Sequence, residues 1–219
     1  MSNLYTHMKI FHFKNKLDSL TSDNNEDIKA PLHLRIKPTN VCNHHCWYCA
    51  YKADNLQLGQ DMVSRDFIPE NKMMEIIDDV IDMGVKAITF SGGGEPFAYP
   101  FLLKTVKKLA NSPVKFASLT NGSRLRGEVA ELFSEHATWI RVSMDGWDND
   151  SYANYRGVRD NEYSKIFENM KKFKLLNGKC YLGVSIIIDK DNESHLFDMT
   201  NRLRDIGVDS VKMSPCIVS

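Results

Sequence analysis

A chain of 219 residues, 42% hydrophobic and 26% charged, is long enough for one globular domain with a sizeable core. Its 28 basic and 28 acidic residues cancel, so no global field points to a nucleic-acid or anionic-membrane partner. No apolar run approaches a membrane span, and MSNLYTHMKIFHFKNK lacks the apolar core of a secretory signal, so a cytoplasmic protein is expected.

Residues 1–31 read as an N-terminal extension: an amphipathic piece around Tyr5 to Leu20, then the polar run TSDNNED, expected to pack on the base or edge of a domain spanning 32–219. From Leu32 onward, apolar strands alternate with amphipathic helical segments. The first strand is LHLRIKPT, in which Leu32, Leu34 and Ile36 alternate with His33, Arg35 and Lys37. A helix follows over about Pro69 to Met83, with Pro69 placed for the first turn and Gly84 as a stop. Then come the strand in KAITFSGGGEP, a helix over Phe101 to Ala110, the strand KFASLTNG, a short helix around Glu128 to Ser134 and the strand WIRVSMDG. A longer helix over about Tyr163 to Leu176 precedes the strand YLGVSIIID; a helix over His195 to Ile206 and the strand DSVKMSP complete the pattern.

This alternation predicts parallel pairing through right-handed crossovers, in an open doubly wound sheet or a barrel. Both place functional loops at the C-terminal ends of the strands. A complete eight-unit barrel takes about 250 residues, so six units predict an α/β fold of the partial (β/α)6 TIM-type barrel kind. No helix follows the sixth strand, and the natural chain is expected to continue.

Three of the five cysteines crowd into CNHHCWYC, immediately after the first strand. Such spacing suits a metal or redox site in a reducing compartment better than a disulfide framework. Thiolates this close can converge on a soft centre, either zinc or an iron–sulfur cluster. Structural zinc needs a fourth ligand, for which His44 or His45 would have to fold back between ligands that already span it. Zinc signatures usually pair their ligands in two separate clips, so the spacing favours a cluster. Three cysteines on four irons leave one iron open to a substrate or cosubstrate. The alternative is a zinc-stabilised binding module without catalysis.

SGGGEP, Ser91 to Pro96, ends the second strand. A glycine run there can cradle phosphate, but Glu95 would repel phosphate and attract an ammonium group. VSMDG ends the fourth strand, with Arg141, Ser143 and Asp145 on one face and Val142 and Met144 on the other. Ser143 and Asp145 are placed to meet ribose hydroxyls; a capping Asp in a turn is the plainer reading. Thr120 to Gly122, TNG, is an everyday turn, and Arg156 in NYRG reads equally as a solvated arginine. Arg35 and Lys37 favour an anionic group if their face lines the barrel. Cys180 and Cys216 read as buried thiols, with a small share for Cys216 reaching the active-site face, and Trp47 and Tyr48 read as shields for the cysteine loop.

The pattern C-x3-C-x2-C, filled by Cys42, Cys46 and Cys49 with Tyr48 before the last cysteine, closely resembles the cluster loop of radical S-adenosylmethionine (SAM) enzymes, and the resemblance covers most of the chain from Leu32. It implies a [4Fe-4S] cluster on the three cysteines, its open iron chelated by the amino and carboxylate groups of SAM. It implies that Gly93, Gly94, Glu95 and Pro96 contact the methionine amino group, that Ser143 and Asp145 meet the SAM ribose, and that Tyr48 lies against the cofactors. The implied activity is cleavage of SAM by one electron from an external flavodoxin- or ferredoxin-type reductant. A 5′-deoxyadenosyl radical then takes hydrogen from a peptide, protein or small-molecule substrate. VSMDG and YRG most resemble the branch with a cysteine-rich C-terminal (SPASM/twitch-type) domain, which this sequence lacks; a fragment or a compact one-cluster member is expected.

Overall fold

The computed structural model describes residues 11–14, 17, 29–52, 59–159 and 161–216. The polar run of the N-terminal extension and most of its amphipathic piece lie outside them. Six strands form one sheet: β1 (His33–Ile36), β2 (Ala87–Phe90), β3 (Lys115–Thr120), β4 (Trp139–Ser143), β5 (Tyr181–Ile188) and β6 (Ser210–Pro215). All neighbouring pairs are parallel and the spatial order is the chain order. The connections carry α1 (Glu70–Asp82), α2 (Leu102–Ala110), α3 (Gly127–His136), α4 (Asn149–Arg156), α5 (Glu162–Leu175) and α6 (Leu196–Asp205).

A doubly wound sheet needs a point where the strand order reverses. Here it never reverses, and crossovers of one hand send every helix to the same face. The sheet therefore winds as part of a barrel, with a covered convex face and an open concave one.

Burial follows the period of two that the strand sequences carry. In-register residues of parallel strands share a face. Ile88, Phe90, Phe116, Ile140, Val142, Leu182, Val184 and Ile186 are all buried, in one core with Met73 and Ile77 of α1, Val106 and Leu109 of α2, Phe133 of α3 and Ile166 and Met170 of α5. The concave face takes the intervening residues, among them Arg35, Thr89, Ala117, Arg141, Ser143, Gly183 and Lys212.

At the base of the sheet, Phe13 of the N-terminal extension lines a cavity with Leu32, Lys115 and Trp139. No helix among the described residues is long and apolar enough to cross a membrane.

Helix α4 was not apparent from apolar periodicity. Only Tyr152 and Tyr155 supply buried rings on it. Its ends carry the signal instead: Asp148 and Ser151 form a reciprocal capping box, and Gly157 closes the helix at φ 57°, in the left-handed region. Hydrogen bonds from Ser151 hold the Asp148 carboxyl below its ordinary pKa of 3.8. A depressed folded-state pKa gives stability that is present above the unfolded value and lost as pH falls. Asp148→Ala should cost about 1 kcal/mol at neutral pH, lowering Tm by roughly 2–4 °C. In thermal melts the gap from wild type should narrow below pH 3.8.

Candidate active site

Cys42, Cys46 and Cys49 lie in the loop that leaves the C-terminal end of β1, all three free and partly exposed. They line a cavity of about 280 Å³ together with Tyr48, the SGGGEP loop after β2, Thr120 and Asn121 at the end of β3, Ser143 of β4 and Arg156 of α4. Every strand from β1 to β4 thus delivers its C-terminal end to one space, as the parallel winding requires.

The cysteine loop is fastened to its neighbours by backbone and short polar side chains. The Glu95 N–H donates to the Val41 carbonyl at 2.8 Å, and the His45 N–H to the Arg156 carbonyl at 2.7 Å. Asn43 donates to the Ser123 hydroxyl at 2.7 Å and accepts from the Asn121 amide at 2.9 Å. Two glycines permit these approaches. A Cβ on Gly94 would stand 2.4 Å from the Thr39 carbonyl oxygen, and one on Gly157 2.5 Å from that of His45. Both contacts are with backbone, so neither can be relieved by a rotamer change.

Glu95 is buried and accepts three hydrogen bonds. The Phe97 N–H at 3.0 Å and the Thr120 hydroxyl at 2.6 Å reach Oε1; the Asn121 N–H at 2.6 Å reaches Oε2. Burial raises its pKa against the opposing effect of these donors. A carboxylate has about four acceptor positions, so one remains on a group that lines the cavity. That donor set suits an ammonium and opposes a phosphate.

Ser143 lines the same cavity, whereas Asp145 sits behind it and is fully buried. Asp145 Oδ2 accepts from the Tyr48 hydroxyl and from Arg156 Nη2, and Oδ1 accepts from the Ile187 N–H at 2.7 Å. Arg156, read from sequence equally as a solvated arginine, is buried. Its guanidinium lies 5.6 Å from the ring centres of both Tyr48 and Tyr152, and Nη1 is 3.5 Å from Cys46 Sγ. Burial alone would lower its pKa; Asp145 and the two tyrosines hold it above the ordinary value. Sequence reading had no signal for Arg156's burial apart from the cap of α4, which orients that helix.

The zinc alternative lacks support from the histidines. The His44 ring is buried edge-on against Tyr152, with neither ring nitrogen hydrogen-bonded. Burial, then Arg156, Lys165 and Lys52, push its pKa down to about 3, so its 3.8 Å approach to Glu162 is no ion pair. His45 is exposed. Among the described residues no three His, Cys, Asp or Glu side chains are disposed to hold one metal ion. A cluster asks less convergence, because each thiolate binds its own iron.

Of the remaining cysteines, Cys180 is a buried thiol whose pKa burial pushes up to about 12. Cys216 follows β6, its N–H bonded to the Ile188 carbonyl at 2.7 Å. It stands at the active-site end of the sheet, half-buried.

The sequence profile of the Radical SAM superfamily matches residues 36–211. The chain belongs to this superfamily. Radical SAM proteins use a [4Fe-4S] cluster and SAM. Among similar proteins, the antilisterial bacteriocin subtilosin biosynthesis protein AlbA of Bacillus subtilis is 24% identical over 94% of this chain and 45% of its own length. A GTP 3′,8-cyclase of Aeromonas hydrophila is 24% identical over 76% of this chain and 48% of its own. The structure of Streptococcus suis SuiB bound to S-adenosylmethionine superposes with a TM-score of 0.71 at 17% identity, over 99% of this chain and 48% of that one. That likeness establishes the shared radical SAM fold. The chain spans about half the length of these relatives.

Removing the charge of Asp145 would leave Arg156 buried without its counter-ion, a loss on the order of 3–5 kcal/mol for pairs of this kind. Asp145→Asn should lower the unfolding free energy obtained from urea titration by that amount, whereas Lys172→Gln on the outer face of α5 should leave it within about 0.5 kcal/mol.

Proposed function

We propose that this chain is the core of a radical SAM enzyme, with residues 32–219 as the catalytic domain and 1–31 as an extension against its base. The observation that carries the reading is the gathering of three free thiols and a buried carboxylate with one acceptor position left around a single cavity. In this reading Cys42, Cys46 and Cys49 hold the cluster, and Glu95 accepts from the methionine ammonium of SAM. Gly93, Gly94 and Pro96 shape the loop that presents Glu95. Ser143 offers its hydroxyl to the ribose. Asp145 acts one step back as a positioning residue, holding Arg156 and Tyr48 against the cysteine loop.

When bound, the cluster and SAM supply a one-electron cleavage of the sulfonium that yields methionine and a radical able to take hydrogen from substrate. The residues of this chain orient and desolvate. Tyr48 and Arg156 close the side of the cavity toward β4, and the donors on Glu95 fix its carboxylate before any ligand arrives. None of these side chains is required as a general base. The electron comes from an external flavodoxin- or ferredoxin-type donor, and three reduced cysteines suit a cytoplasmic protein. The substrate is a peptide, protein or small molecule: AlbA is named for the biosynthesis of a bacteriocin, and the cyclase for GTP.

Anaerobic reconstitution with iron and sulfide, reduction in the presence of SAM and chromatography for 5′-deoxyadenosine test this reading. A brown protein that forms the nucleoside is expected, with Cys46→Ala losing both colour and product. A colourless protein that retains zinc and leaves SAM intact would sink it. Glu95→Gln should weaken SAM binding about 10–100-fold, the worth of one charge-assisted hydrogen bond, in equilibrium dialysis of the reconstituted protein.

A further inference from the structure

The three cavity cysteines do not meet the same surroundings. Cys42 Sγ accepts from a backbone donor, the His44 N–H, at 3.5 Å. Cys46 Sγ accepts from a charged one, Arg156 Nη1, also at 3.5 Å. The other terminal nitrogen of the same guanidinium, Nη2, donates to Asp145 Oδ2. The planar fork therefore stands with one nitrogen on a carboxylate and the other on a sulfur, and the ion pair turns its positive end to the thiol.

That charge is held in place from several sides. Arg156 is buried, and the ring centres of Tyr48 and Tyr152 each lie 5.6 Å from its Cζ. Its carbonyl takes the His45 N–H at 2.7 Å, which ties the end of α4 to the loop between Cys42 and Cys46. The side chain also lines the cavity, and its Nε is buried without a hydrogen-bond partner among the described residues. A guanidinium that served Asp145 alone would leave its remaining donors to water, because buried donors without partners are costly. This one gives a donor to a cysteine and keeps another unspent beside it.

From this arrangement we infer that Arg156 sets the reduction potential of the cluster on Cys42, Cys46 and Cys49, raising it through the N–H···S bond to Cys46. Reduction adds an electron whose charge spreads onto the thiolate sulfurs. A charged donor on one of them stabilises the reduced state more than the oxidised one. In a buried site solvent and salt screen this effect only weakly. Reduction is the step that an external carrier must drive, and a cluster held at too low a potential draws no electron from it. Arg156 acts here through Cys46, as a positioning residue that needs no contact with substrate. This assignment rests on the reading of the cavity given above, and it adds the group that poises that cavity for its electron.

Redox titration of the reconstituted chain without SAM, followed by electron paramagnetic resonance, tests it. Arg156→Gln should lower the ratio of reduced to oxidised cluster at a given potential about tenfold or more, a fall of about 59 mV for a one-electron couple, with Lys172→Gln unchanged. Arg156→Lys keeps a charge for Asp145 but loses the fork, and its potential should fall by less. Loosening of the cysteine loop alone would admit water and move the potential up, so the sign separates tuning from a structural role. A second readout uses the wild-type sequence and so does not depend on a variant folding. With heavy nitrogen placed in the guanidinium groups of its arginines, the reduced cluster should show a hyperfine coupling to that isotope in pulsed resonance spectra. Absence of the coupling, or a potential that stays or rises in both Arg156 variants, overturns the inference and leaves the reading of the cavity standing. A chain that assembles no cluster from iron and sulfide overturns both.

Discussion

Burying Asp145 beside Arg156 sets two opposite charges where water does not reach, and such a pair persists only when the remaining donors and acceptors are also satisfied. Asp145 meets that condition by accepting from Tyr48 and from the Ile187 N–H as well as from Arg156. One carboxylate at the end of β4 thereby ties together β5, α4 and the cysteine loop. Arg156 continues the chain of contacts: its carbonyl takes the His45 N–H, and its guanidinium reaches Cys46 Sγ at 3.5 Å. The position of the central cysteine is thus tied to an ion pair whose carboxylate is buried behind the cavity and whose arginine also lines it.

A second constraint is steric. The glycine loop after β2 and the cysteine loop after β1 are joined by the Glu95 N–H bond to Val41, one residue before Cys42. That approach leaves no space for a side chain on Gly94. The same short connection holds Glu95 under three donors, so its carboxylate is oriented before a ligand arrives. Preorganisation of this kind lowers the ordering cost of binding. It also explains why a carboxylate is tolerated in a buried position: the donors offset part of its desolvation.

Charge is distributed as deliberately as shape. Lysines on the helices are matched by acids along or across the helix surfaces, where each pair is screened and worth little. The concave face carries Arg35, Arg141 and Lys212 on its strands, with Asp145 and Asp189 just beyond the ends of β4 and β5. A neutral sequence can hold both arrangements, because net charge sums over faces that never meet.

Much of this was legible along the chain. The strand and helix order, the period-two alternation of β1 and β4, and the motifs CNHHCWYC, SGGGEP and VSMDG are local patterns, and they give the α/β class, the parallel pairing and the superfamily. Residues in one motif are neighbours by covalent connection, so spacing alone reports them. Helix α4 escaped because its stability comes from its caps and from two tyrosines packed by tertiary contact, not from an apolar stripe. The burial of Arg156, the diversion of Asp145 from the cavity wall into an ion pair, and the burial of the His44 ring against Tyr152 likewise depend on which loops meet. The sequence by itself determined the elements and the kinds of chemistry available. Only the tertiary structure decided which of those groups face the cavity and which face one another, because burial and charge pairing arise between segments up to 110 residues apart, as between Cys46 and Arg156, and no local pattern encodes them.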